Sequence, residues 1–89
     1  MFINIFSFSQ LSPVENEEKI FIKNFGEKLK KLRLEKNLSQ EMLANDANIP
    51  INQIGRIERA EISTSLTTIY KIAKALDVKI TALFDFEII

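Results

Sequence analysis

Residues 39–59 read SQEMLANDANIPINQIGRIER, and the punctuation of this stretch decides the fold. Ser39 is a good helix cap, and the helix that follows it, Gln40 to about Asp46, takes its apolar face from Met42, Leu43 and Ala47. Asn48 can adopt the left-handed conformation that stops a helix. Ile49 is the apolar residue of the turn. Pro50 opens a further helix at a position where its missing N–H costs little. That helix runs to about Arg59, with Ile54 and Ile57 facing inward. The stretch therefore predicts two short helices joined by a tight turn. Spacing alone assigns them no function, because such pairs are common.

Outward toward the N-terminus, Ser12-Pro13-Val14-Glu15 predicts a helix start: Ser12 as cap, Pro13 at the first position, Glu15 as the capping-box acid. The helix runs toward Lys36. Phe21, Phe25, Leu29 and Leu32 share one face, and Lys28, Lys30, Lys31 and Lys36 fall mostly off it. Gly26 weakens the helix by about 1 kcal/mol relative to Ala. Asn37 can end it in the left-handed region.

Outward toward the C-terminus, Glu61 to Thr64 form a polar link. Ser65 caps a helix over Leu66 to Leu76, with Leu66, Ile69, Ile72, Ala73 and Leu76 on one face and Asp77 at its end. A short fifth helix or turn covers about Ile80 to Phe84. Both ends of the chain are apolar: Phe2, Ile3, Ile5, Phe6 and Phe8 at one, Phe86, Ile88 and Ile89 at the other. Residues 1–11 are compatible with a strand, a partner-binding arm or a poorly ordered tail. Exposed, such ends would form an interaction patch.

The chain has 89 residues, 46% of them hydrophobic, which predicts one globular domain. It has no Cys and no His. That excludes disulfides, zinc fingers and the usual nucleophile–base pairs. No phosphate-cradling Gly loop is present, and the carboxylates show no site logic, so an enzyme is not expected and neither a metal nor a cofactor is implied. No apolar run approaches the ~20 residues of a membrane-spanning helix. The first eight residues lack the basic leader and cleavage site of a signal peptide, so a cytoplasmic protein is expected. The net charge is zero. Its distribution is uneven: Lys23 to Arg59 carries eight basic and five acidic residues, and the flanks carry four basic and seven acidic. The positive charge is concentrated where the helix pair lies.

Several blocks, in order and spacing, resemble the lambda-repressor/Cro-like (XRE) helix-turn-helix family. Phe25-Gly-Glu-Lys-Leu-Lys-Lys-Leu-Arg33 and Asn37-Leu-Ser-Gln-Glu-Met-Leu-Ala44 resemble its opening. Ile54-Gly-Arg-Ile-Glu-Arg59 resembles the end of its recognition helix. Ser65-Leu-Thr-Thr-Ile-Tyr-Lys-Ile-Ala-Lys-Ala-Leu76 and Leu83-Phe-Asp85 resemble its closing helices. The resemblance implies an all-α, five-helix lambda-repressor-like DNA-binding domain over residues 20–86. An N-terminal extension over 1–19 would precede it (an arm, the start of the first helix, or disordered), and a short tail, 87–89, would follow.

The resemblance also implies a site. A recognition helix over about 50–59 would enter the major groove, with Ile51, Asn52, Gly55 and Arg56 facing base edges. Asn can bond adenine on two atoms, Arg can do so with guanine, and Ile can pack on a thymine methyl. Ser39, Gln40, Gln53, Arg59 and Lys28 would contact phosphate. Arg33 and Glu58 would form a buried ion pair joining the first and third helices. Asn48 and Ala60 stand where the family commonly has turn glycines, and Pro50 stands where it often has a Ser-type cap. A homodimer on a two-fold operator is the expected assembly. The competing reading is an antitoxin-like protein-interaction module with weak DNA reading, binding its protein partner through the apolar ends.

Overall fold

The computed structural model describes residues 13–87, with side-chain surroundings from Glu17 onward. Four α-helices follow one another: α1 (Pro13–Glu35), α2 (Gln40–Ala47), α3 (Ile51–Glu58) and α4 (Leu66–Leu76). Among the described residues one 3-10 helix, Ile80–Phe84, follows α4, so the expected five-helix set is four α-helices and one tighter turn. Five residues without a side-chain cap at Lys79 do not sustain an α-helix here, and the 3-10 form suits such short pieces. The described residues contain no strand, and no helix among them is long and apolar enough to cross a membrane.

The caps act as the local residues dictate. Ser39 Oγ accepts from the Met42 N–H at 3.0 Å, and Ser65 Oγ accepts from the Thr68 N–H at 3.1 Å. Asn37, Asn48 and Asp77 all take left-handed backbone, with φ of 60°, 59° and 58°. Pro50 stands one position earlier than expected, as the residue before α3. Its ψ of 142° is extended, and its carbonyl accepts from the Gln53 N–H at 3.0 Å. Ser12 and the apolar residues Phe2, Ile3, Ile5, Phe6, Phe8, Ile88 and Ile89 lie outside the described part.

One core unites the helices. Leu29, Leu43, Ile54, Ile57, Ile72, Leu76 and Leu83 are fully buried, each worth about 1.5–3 kcal/mol in burial. α1 packs on α3 and on the 3-10 helix, and α2 packs on α3 and α4. Phe21 lies at the margin, with its ring 6.0 Å from that of Phe84 and 5.7 Å from that of Phe86. Two expected core positions lie outside. Met42 is 48% exposed, and Ala44 fills the inward place instead, beside Leu43 and Ala47. Leu66 is 79% exposed, because the first turn of α4 projects beyond the bundle.

Candidate nucleic-acid interface

The turn between α2 and α3 is tightly bonded. The Asn48 N–H donates to Asn45 O at 3.2 Å and the Ile49 N–H to Ala44 O at 3.0 Å. The amide side chain of Asn48 tolerates the left-handed backbone that Gly would otherwise supply. This joint fixes the angle at which α3 leaves α2.

The inward side of α3 is held by a buried polar network. Arg33 Nε donates to Glu58 Oε2 at 2.6 Å, Arg33 Nη2 to Glu58 Oε1 at 3.1 Å, and Arg33 Nη1 to the Leu38 carbonyl at 2.8 Å. Gln40 Nε2 donates to Glu58 Oε1 at 2.9 Å. The fork-to-carboxylate geometry is the strong form of this pair. One carboxylate thus ties α1, the turn after it, and the first residue of α2 to the last turn of α3.

Two glycines let the helices approach. A Cβ on Gly26 would lie 2.5 Å from the Ile57 carbonyl oxygen and 2.7 Å from that of Glu58, so α1 rests directly on the backbone of α3. The sequence shows Gly26 only as a weak helix former. A Cβ on Gly55 would lie 2.9 Å from Arg59 Nη1 and 3.0 Å from Gln40 Oε1. Gly55 is buried, whereas Ile51, Asn52 and Arg56 are exposed. Gly55 lies on the flank that meets the first residue of α2, where a Cβ would displace only the ends of the Arg59 and Gln40 side chains, unlike Gly26, whose neighbours are backbone.

The outward side of α3 presents Ile51, Asn52 and Arg56, all exposed, with Gln53 half-buried beside them. The structure places the candidate phosphate residues differently. Ser39 is exposed, but its Oγ serves as the cap of α2. Gln40 is half-buried and bonded to Glu58. Lys28 is half-buried on α1.

Arg59 is exposed but engaged. After α3, Ala60 takes φ 61°, the conformation the family usually gives to Gly, so the helix end is kept despite the substitution. The Glu61 N–H then donates back to Arg56 O at 2.9 Å, and the Ala60 N–H to Ile57 O at 3.0 Å. This hook returns Glu61 to the helix end. Its carboxylate accepts from Arg59 Nε at 2.6 Å and lies 3.7 Å from Arg56 Nε. The hydrogen bond from Arg59 holds the Glu61 carboxyl below the usual carboxylate range, and the same bond raises Arg59 above its ordinary value. Nothing in the sequence singles out Glu61, because its pairing depends on the left-handed Ala60.

Comparison with known proteins agrees with this architecture. The HTH_3 helix-turn-helix family model matches residues 29–83. The control protein C.BamHI of Bacillus amyloliquefaciens is 44% identical over 66 residues, which cover 73% of this chain and 82% of that protein. The immunity repressor protein of Bacillus phage phi105 is 34% identical over 62 residues, covering 70% of this chain and 43% of the repressor. The crystal structure of the restriction-modification controller protein C.AhdI from Aeromonas hydrophila superposes with a TM-score of 0.70 at 40% identity, over 71% of this chain and 96% of that one. The chain belongs to the HTH_3 helix-turn-helix family, a family of DNA-binding transcriptional regulators and not of enzymes.

Proposed function

We propose that this regulator binds a two-fold operator sequence-specifically as a homodimer in the cytoplasm, with residues 20–86 as the DNA-binding domain and one α3 in the major groove at each half-site. One observation carries the reading. α3 is locked on its inner side by Glu58 and the core, while its outer side presents Ile51, Asn52 and Arg56 to solvent. A reading helix needs this division, because base contacts gain selectivity only when their positions are fixed. Arg56 would pair with guanine, Asn52 with adenine, and Ile51 would pack on a thymine methyl. Ser39, Gln40, Gln53, Arg59 and Lys28 would meet phosphate, and Gly55, with no side chain, would face the bases between Asn52 and Arg56. Tyr70 and Ile80, exposed on α4 and the 3-10 helix, line one groove with Val78 and offer an apolar surface to a second copy. The long coverage of two control proteins at 40% identity or more favours a controller's role over that of a phage repressor.

The test is selection from a random DNA pool, followed by affinity for the winner across a salt series. A palindrome with half-sites about one turn, ~10 bp, or a multiple apart is expected. Arg56→Ala should cost about 1–3 kcal/mol at that site and relax one base position. Unchanged affinity and unchanged preference would remove α3 as the reading element. The protein-interaction reading is favoured by the neutral net charge, Gly55, Pro50 and the apolar ends, and it predicts no enriched sequence.

A further inference from the structure

We infer that Glu61 is a specificity-determining residue: its carboxylate occupies the guanidinium of Arg59 in place of a phosphate, so DNA of any sequence must displace it to gain that contact. The inference rests on the DNA-binding reading above and deepens it.

Three features meet here. First, the hook through Ala60 is a backbone device, closed by two main-chain bonds, so Glu61 is returned to α3 by the fold and not by chance rotation of a side chain. Second, the contacts are graded. Arg59 Nε is bonded at 2.6 Å, whereas Arg56 Nε, at 3.7 Å, is attracted without a hydrogen bond. The residue suited to phosphate is gripped, and the residue suited to a base is left free to turn its Nη fork outward. Third, all three side chains are about half exposed, so a phosphate oxygen has access to compete.

The consequence follows from what drives nonspecific binding. Such binding comes from phosphate contacts and gains its free energy by releasing counterions. Glu61 is a counter-ion that cannot leave, because it is covalently part of the chain. Contact at Arg59 therefore costs a broken ion pair and releases no ion. At the preferred site, Arg56 turns its Nη fork to the base while its Nε, 3.7 Å from Glu61, stays available to receive the displaced carboxylate, which offsets the same cost. Glu61 thus lowers affinity for random sequence more than affinity for the operator.

Glu61→Gln tests this. Affinity of the wild type and the variant is measured for the selected operator and for a random-sequence duplex across a salt series. One restored phosphate contact should steepen the log–log salt slope on random DNA by about 0.9 and tighten binding there about fivefold at 0.15 M salt. Operator affinity should stay within about twofold, so the ratio of specific to nonspecific affinity falls. Arg59→Ala combined with Glu61→Gln should abolish the gain, and thermal melting of each variant should show that both stay folded. An unchanged slope on random DNA, or an equal gain on both duplexes, overturns the specificity role while leaving DNA binding intact. A wild type that neither selects a sequence nor binds random DNA in a salt-dependent way overturns both readings.

Discussion

Two Arg–Glu pairs serve α3, and both are closed by an Nε–Oε2 contact of 2.6 Å. The side chains of Arg33 and Glu58 are 7% and 2% exposed, whereas those of Arg59 and Glu61 are 57% and 47% exposed. Distance therefore says nothing about what each pair contributes. In the first pair both charges have left water, and each survives only through the other and through Gln40 and the Leu38 carbonyl. In the second, water can replace either partner, so the pair adds little to stability and can open when a ligand arrives. One pair builds the scaffold and the other lies at the exposed end of α3. The same chemistry serves both because burial sets its strength.

The sharpest way to break this contrast is Glu58→Ala. It should destabilise the fold by about 3–5 kcal/mol, read by urea denaturation, because Arg33 is left buried without its partner. Replacing Arg33 and Glu58 together with Met should recover most of that loss. A single variant that costs less than the double would mean the pair is hydrated after all. Next comes Gly26→Ala. A Cβ 2.5 Å from the Ile57 carbonyl forces α1 away from α3, and overpacking of this kind costs about 1–3 kcal/mol, outweighing the helix propensity of Ala. A stabilised variant would show that the helices separate freely.

Ala60→Gly acts on the exposed side. Relief of the left-handed backbone should stabilise by about 0.5–1 kcal/mol and raise Tm by roughly 3–6 °C. A lower Tm would mean that the hook carries no strain. The smallest effect is on the pH dependence of Glu61. Its carboxyl is held below the ordinary value in the folded chain. The stability it supplies is therefore present above the unfolded carboxylate pKa and is lost as pH falls through the lowered folded one. Wild type and Glu61→Gln should differ slightly at neutral pH and converge in acid. A gap that widened in acid would reverse the sign of the assignment.

Much of this was legible in the sequence, for a physical reason. Caps and stops are local chemistry, so Ser39, Asn48, Ser65 and Asp77 mark helix ends from their own side chains. Helical periodicity separates Ile54 and Ile57 from Asn52 and Arg56. Periodicity does not show where a bundle ends, and so Met42 and Leu66 look internal but stand in solvent. Glycine carries no such signal. Whether Gly26 and Gly55 weaken a helix or admit a neighbour depends on what lies across the gap, which only the packed structure shows. Glu61 is hidden for a similar reason, since its partner is chosen by a left-handed Ala that resembles a defect in the motif.

The contact between α1 and the 3-10 helix has a kinetic consequence. α2 and α3 are sequence neighbours and can meet after closing a turn of a few residues. The other seam, where Asn24 Nδ2 donates to Glu87 O and Phe25 packs on Phe84, joins residues up to 63 apart in the chain. Loops that long close late, and a seam that includes the last described residues can open without the rest. Amide hydrogens along that seam should exchange with solvent through partial opening that leaves α2 and α3 docked. The part of the molecule assigned to DNA would then remain assembled while the far side of the bundle breathes.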